Sequence, residues 1–242
     1  MNNVIKKGMN VSDFIYSSKA LSKVKGTYIA PNDFLKAYSS LDDIERRSLV
    51  YHYIMDNSPF AFTAVYDKPL LFEQVRQYIS TILDVDINHV KLIGSTKTGF
   101  RMDNNDYGSG YRKESDLDFM IIDEDLFGQL STEFDTWQSA YVERNEMQPH
   151  GDYEKQCWDE NISKLPQNIK YGFIDTYKMP NRPNFLPVTQ RINNAMSLIV
   201  QKLKSKHGFL TKRASMRVYR DIDCFYCQQC KNIDAILRAV GR

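Results

Sequence analysis

The segment that most restricts the fold is an apolar run ended by a small-residue turn and followed by a second run that opens on two acids. Val90-Lys91-Leu92-Ile93 closes at Gly94-Ser95, and about twenty residues further on the chain reads Ser115-Asp116-Leu117-Asp118-Phe119-Met120-Ile121-Ile122. Side chains alternate across a β-strand, so residues i and i+2 share one face about 6.5 to 7 Å apart. Asp116 and Asp118 must then project together while Leu117 turns into the protein. Two carboxylates side by side on a rigid element repel, and the pair is stable mainly when a divalent cation supplies the opposite charge. Gly94 and Ser95 supply a complementary half: a small residue followed by a hydroxyl at a strand-to-helix turn lets backbone N–H groups approach a phosphate closely. A carboxylate-held cation facing a phosphate cradle is the layout that phosphoryl or nucleotidyl transfer requires.

Gly94-Ser95-Thr96-Lys97-Thr98-Gly99-Phe100, followed after a polar spacer by Glu114-Ser115-Asp116-Leu117-Asp118-Phe119, resembles the hallmark of the polymerase-beta-like nucleotidyltransferase superfamily. That hallmark is Gly-Ser, a spacer, then Asp-hydrophobic-Asp at the start of an apolar strand. The resemblance covers the chain from about Pro69 to about Pro180 and has the look of bacterial members from phage-defence and toxin–antitoxin loci. It implies an α/β (α+β) fold: a nucleotidyltransferase core with a mixed β-sheet over residues 69–180, flanked by an N-terminal helical segment, 1–68, and a C-terminal helical layer, 181–242. It also implies in-line attack of an acceptor hydroxyl on the α-phosphate of a nucleoside triphosphate such as ATP, releasing pyrophosphate. In that reading Asp116, Asp118 and Asp175 are the catalytic carboxylates and hold Mg²⁺ or Mn²⁺. Gly94 and Ser95 hold the β- and γ-phosphates, and Lys97 and Arg101 neutralise their charge. The acceptor could be RNA or tRNA, a protein side chain or a second nucleotide, and a partner protein could complete the site. The same fold also serves as an inactive nucleotide-binding sensor or as a subunit of a defence or toxin–antitoxin complex.

Two features depart from the simplest form of that pattern. The spacer is long, and Asp103-Asn104-Asn105-Asp106-Tyr107-Gly108-Ser109-Gly110 reads as an extended polar loop beside the nucleotide, either a specificity element or a mobile flap. The third carboxylate is the other. Two metal ions about 3.5 to 4 Å apart need a third acid on a neighbouring strand, and Asp175, within Lys170-Tyr171-Gly172-Phe173-Ile174-Asp175-Thr176-Tyr177, is expected to lie next to the Asp116/Asp118 strand. Its other reading is a turn-initiating aspartate before Met179-Pro180. Asp152, Glu154, Asp159 and Glu160 sit in a polar segment expected to be a loop.

Around this core the periodicity predicts helices. Val11 to Lys25 and Asn32 to Asp56 carry helical apolar spacing, with a helix start at Ser40-Leu41-Asp42-Asp43 and a stop at Asn57-Ser58-Pro59. Pro69 introduces a helix over Leu70 to Leu83, and Asp123-Glu124-Asp125 is expected to cap a helix over Leu126 to Arg144. From Val188 to Lys206 an apolar stripe backs a basic face. Lys202, Lys204, Lys206, Lys212, Arg213, Arg217 and Arg220 then concentrate positive charge that can grip a triphosphate or an RNA backbone, or simply face water. Cys224, Cys227 and Cys230 have a metal-site spacing, but on one helix Cys224 and Cys230 would stand about 9 Å apart along the axis, too far for thiolates each bound at about 2.3 Å to a single zinc.

Composition sets the remaining limits. A chain of 242 residues, 42% hydrophobic and 26% charged, can bury one good core with an appended layer or two small ones. A net charge of +2 provides no global field for nucleic acid. No segment approaches the roughly 18 to 20 consecutive apolar residues needed to span a bilayer, and Met1 to Asn10 does not read as a signal peptide, so a cytoplasmic location without membrane attachment is expected. His52, His89, His150 and His207 are scattered and are read as packing or surface residues.

Overall fold

The Asp116/Asp118 strand sits inside a mixed sheet rather than at its rim. A computed structural model describes residues 18–24 and 26–240. Four strands, β1 (Val90–Ile93), β2 (Leu117–Ile122), β3 (Phe173–Asp175) and β4 (Ala214–Tyr219), are ordered β1-β2-β4-β3. β1 runs antiparallel to β2, β2 parallel to β4, and β3 antiparallel to β4. The register Ile93↔Asp118↔Ser215 and Asp175↔Arg217 brings the end of β1, the starts of β2 and β4 and the end of β3 to one end of the sheet. That convergence positions the candidate site.

Both faces of the sheet are covered, as the nearly continuous apolar run of β2 requires. Val90, Leu92, Leu117, Phe119, Ile121, Ile174, Met216 and Val218 face one core. Over it lie α4 (Pro69–Leu83), α6 (Glu124–Gln138), α7 (Asp152–Lys170) and α8 (Pro187–His207), which bring Ile79, Leu130, Trp137, Trp158 and Ile192. Met120, Phe173 and Tyr219 face a second core built with α2 (Pro31–Ser39), α3 (Asp43–Val50) and α9 (Ile222–Val240), where Phe34, Tyr38, Leu49 and Phe225 pack. A short helix α1 (Ser18–Leu21) precedes α2, and a one-turn helix α5 (Ser95–Thr98) follows β1. Of the helix expected over Val11–Lys25, α1 is the described helical part and residues 22–24 leave it in a turn; residues 11–17 and 25, and the reading of Met1–Asn10, lie outside the described residues.

Local signals explain the helix limits. Asp42 accepts from Glu45 N–H at 3.0 Å while Glu45 returns a bond to Asp42 N–H, a reciprocal cap that starts α3. The helix then widens into π-helical turns at Tyr51–Asp56 and stops at Asn57, where the sequence signals it. Asp123 caps α6 through Leu126 N–H at 2.8 Å, and α6 continues as π-helical turns to Glu143. Buried Glu133 of α6 accepts from Val188 N–H at 2.6 Å and Thr189 N–H at 2.9 Å, so the first turn of α8 is capped by a carboxylate from another helix.

Two expectations change. The acid-rich segment Asp152–Glu160, read as a loop, is the first half of α7: Trp158 and Leu165 give it a buried face, and Lys155–Asp159 and Lys164–Glu160 pairs line its outer side. Residues 181–242, read as a C-terminal helical layer, also contain β4, which lies between β2 and β3. The mixed sheet therefore draws on sequence beyond residue 180.

Phe119, 1% exposed in the larger core, should cost about 3 to 5 kcal/mol on change to alanine. Ile44→Ala, at a side chain 76% exposed, should stay within about 0.5 kcal/mol of the parent. Urea melts of the two variants check both values.

Candidate active site

The phosphate-type turn and the acidic pair are in direct contact. Gly94 has φ +72° and ψ −165°, a conformation open essentially to glycine alone, and a Cβ built on it would lie 3.1 Å from Asp118 Oδ2. The turn it makes starts α5, whose first N–H groups, at Ser95 and Thr96, have no intrahelical acceptor. Thr96 ties this turn to the acids, its hydroxyl donating to the Asp116 carbonyl at 2.6 Å. On the other flank the Thr211 hydroxyl donates to the Ser115 carbonyl at 2.8 Å, and Leu117 N–H to the Arg213 carbonyl at 3.0 Å. The start of β2 is thus held from both sides.

The charge around the acids comes from β4 and the residue before it. Arg213 Nε donates to Asp116 Oδ2 at 2.6 Å from a largely exposed side chain. Ser215, directly opposite Asp118, donates its hydroxyl to Asp118 Oδ1 at 2.7 Å. Burial pushes the Asp118 carboxyl above its usual range; the Ser215 bond and the two arginines oppose this and the like charge of Asp116 adds to it. An electrostatic deficit of this kind is what a bound cation relieves. Asp116 and Asp118 offer an all-oxygen donor set on one face, which suits a hard divalent ion.

Asp175 does not lie on the strand next to β2. β4 intervenes, so Asp175 is two strand spacings, about 9.5 Å, from β2 and level with Met120, two residues further along than Asp118. Buried among Phe173, Arg217 and Lys178, it receives Arg217 Nε at 2.5 Å and pairs with Lys178 Nζ at 2.9 Å. Burial works to raise its carboxyl, but these two cations outweigh burial and hold it below the usual range. Its charge is therefore committed to a structural ion-pair group, and the slot facing Asp118 on the adjacent strand belongs to Ser215.

Lys97 and Arg101 also point away from the pair. Lys97, 3% exposed, donates to the carbonyls of Met55, at 3.1 Å, and Asn57, which end the π-helical turns after α3. One residue earlier, Thr96 faces the acids; on a single helical turn the next side chain must leave in another direction. Arg101 binds Asp103 at 2.9 Å and Asp106 at 2.9 Å within its own loop. That loop is a folded hairpin closed by the Phe100↔Gly110 bridge, and Tyr107 pins it by donating to the Pro31 carbonyl at 2.7 Å.

The features missed from the sequence are Arg213 in its contact with Asp116, Ser215, and a cleft of about 580 Å³ that Arg213, but neither Ser215 nor the acids, lines. Trp158, Tyr177, Asn161 and Asn193 line that cleft, and Lys178 and Arg213 connect it to the two carboxylate groups. Ala214-Ser215-Met216-Arg217-Val218-Tyr219 has strand-like alternation that could have revealed β4, but the basic run hid it. In that run Arg213, Arg217 and Arg220 are paired with Asp116, Asp175 and Asp221, whereas Lys202, Lys204 and Lys206 are exposed on α8. Cys224, Cys227 and Cys230 ride the continuous helix α9. No helix among the described residues is long and apolar enough to cross a membrane.

Gly94→Ala should cost about 1 to 3 kcal/mol, and less when combined with Asp118→Ala, because the second change removes the atoms the new methyl meets; a double-mutant cycle in urea measures the coupling. Lys97 gives a pH signature. Burial, with Lys91 and Arg76 nearby, pushes its ammonium down from the ordinary 10.5 to about 7. Between those values the unfolded chain binds a proton that the folded chain does not, so this group's contribution to stability rises with pH across the window and is lost as pH falls toward 7. Wild type should gain stability relative to Lys97→Met from pH 7 to 10, as urea midpoints would show.

No family model, curated protein or solved structure matches the chain, and the reading of the site rests on its own geometry.

Proposed function

We propose that this chain is a metal-dependent nucleotidyltransferase that moves a nucleoside monophosphate from a nucleoside triphosphate to a hydroxyl acceptor. One observation carries the reading: the Gly94 turn abuts Asp118 at the sheet end where Asp116 also lies. Asp116 and Asp118 would hold the divalent cation, Mg²⁺ or Mn²⁺. When bound there it would supply Lewis-acid stabilisation of charge on the transferring phosphoryl group. Gly94 lets the turn close against Asp118, and the N–H of the half-buried Ser95 can donate to a phosphate oxygen. Arg213, already on Asp116 and largely exposed, is the cation free to turn onto a phosphate, the role the sequence had suggested for Lys97 and Arg101. The 580 Å³ cleft, which reaches the acids through Arg213 and is not itself lined by Asp116 or Asp118, is of a size that suits a nucleoside, with the exposed Tyr177 for stacking and Asn161 and Asn193 for base edges. Catalysis would then consist of positioning and electrostatics. RNA, a protein side chain or a second nucleotide each remain acceptors under this proposal, and phage defence is a setting compatible with it.

A specific observation favours a second reading, a catalytically inactive nucleotide-binding module of a defence or toxin–antitoxin assembly. Ser215 stands opposite Asp118 where a third carboxylate would serve a second cation, and Asp175 is tied to Arg217 and Lys178. The site as built suits one shared cation.

Incubation with each α-labelled triphosphate, Mg²⁺ or Mn²⁺, and RNA or protein acceptors separates the readings. The enzyme should release pyrophosphate and transfer label, and both should fall to background in the Asp116→Ala, Asp118→Ala variant. Triphosphate binding without either product would support the inactive module. No binding and no turnover would overturn both.

A further inference from the structure

A second polar cavity lies away from the acidic pair, along the outer edge of β1. It measures about 180 Å³ and is bounded by the two π-helical segments Tyr51–Asp56 and Ala61–Val65, by the loop between them and by the start of α4. Wide π-helical turns are costly and recur at functional sites; here both border the same hollow. Its cations are Arg76, Lys91 and Lys97. Arg76 is fixed by Glu73 at 2.6 Å and by the carbonyls of Val90 and Ile87, and Lys97 by those of Met55 and Asn57. Lys91 is different: no described residue gives its half-buried ammonium a hydrogen bond or an ion pair. The Thr63 hydroxyl, which also lines the cavity, is buried without a partner. Burial first, and then the nearby Arg76, push the Lys91 ammonium down, against the weaker opposing pull of Asp56 and Glu73. The two acids of the lining, Asp56 and Glu73, are exposed at the rim, where solvent screens them.

The geometry points to a binding site for a small phosphate-class oxyanion in this cavity, held by the Lys91 ammonium and the Thr63 hydroxyl, with Arg76 and Lys97 as the cationic floor. A buried donor left unpaired is costly, and an oxyanion is the group that satisfies a hydroxyl and an ammonium at once. The space suits a phosphate or pyrophosphate ion or the terminal phosphate of a larger molecule; it is smaller than the roughly 300 Å³ and upward of drug-sized ligand sites, so a nucleoside would remain outside. The site is separate from the proposed nucleotide site, since it shares no lining residue with the 580 Å³ cleft and neither Asp116 nor Asp118 lines it.

Isothermal titration of the full chain with inorganic phosphate, pyrophosphate and a nucleoside 5′-monophosphate, against a chloride control, tests this. Wild type should bind at least one of the three saturably, and which of them binds tells a free ion from a phosphate carried on a larger molecule. Lys91→Met and Thr63→Val should each weaken that binding, the first by about tenfold or more, with circular dichroism confirming that they fold. The Asp116→Asn, Asp118→Asn variant should bind the same ligand as wild type does. Absence of saturable binding in wild type, or binding untouched by Lys91→Met, would overturn the proposal.

Discussion

Asp118 is a half-buried carboxylate beside a second carboxylate, and much of this end of the sheet is arranged around that charge. Its nearest relief is a hydroxyl from Ser215 and, one position away, the Arg213 guanidinium on Asp116. Ser215 in β4 and Arg213 just before it reach the acids because β4 pairs parallel with β2 in this register. Gly94 completes the enclosure, since any side chain there would press on Asp118. The acids, the turn and the arginine are thus one electrostatic unit, assembled from three separated stretches of sequence.

A second group on the same face limits what that unit can do. Arg217 lies between Asp118 and Asp175 in the sheet, stacks over the Phe173 ring at 4.8 Å, and spends its charge on Asp175. A carboxylate so neutralised, about 9.5 Å across the sheet from β2, is a structural anchor for β3 and the turn that follows. Single-cation chemistry and plain nucleotide binding both agree with this division. A two-cation site would need a further acid brought to the face of Ser215.

The parts of the fold that depend on local physics were legible. Asp42 and Glu45 cap a helix within four residues of chain, Pro69 starts α4, and the spacing of Leu71, Val75 and Ile79 sets its buried face. The run Asp116 to Ile122 reads as a strand with paired acids because alternation is a property of the backbone. Elements stabilised mainly by distant partners were not. Arg213, just before β4, and Arg217 within it have charges that look like a solvated or phosphate-binding surface until Asp116 and Asp175 appear beside them. The first half of α7 looks like a polar loop because Trp158 is its single large apolar contact there.

Sequence alone determined that Asp118 opens an apolar strand with Asp116 just before it and that a glycine turn ends the preceding strand, since both follow from backbone geometry at short range. Only the tertiary structure decided that the turn touches Asp118, that Ser215 and Arg213 meet the acids while Asp175 does not, and that Lys97 faces the carbonyls after α3. Those outcomes depend on strand order and register, which are set by burial on the two faces of the sheet. A change of neighbour, or a slip of one residue, would have sent the same side chains to other partners.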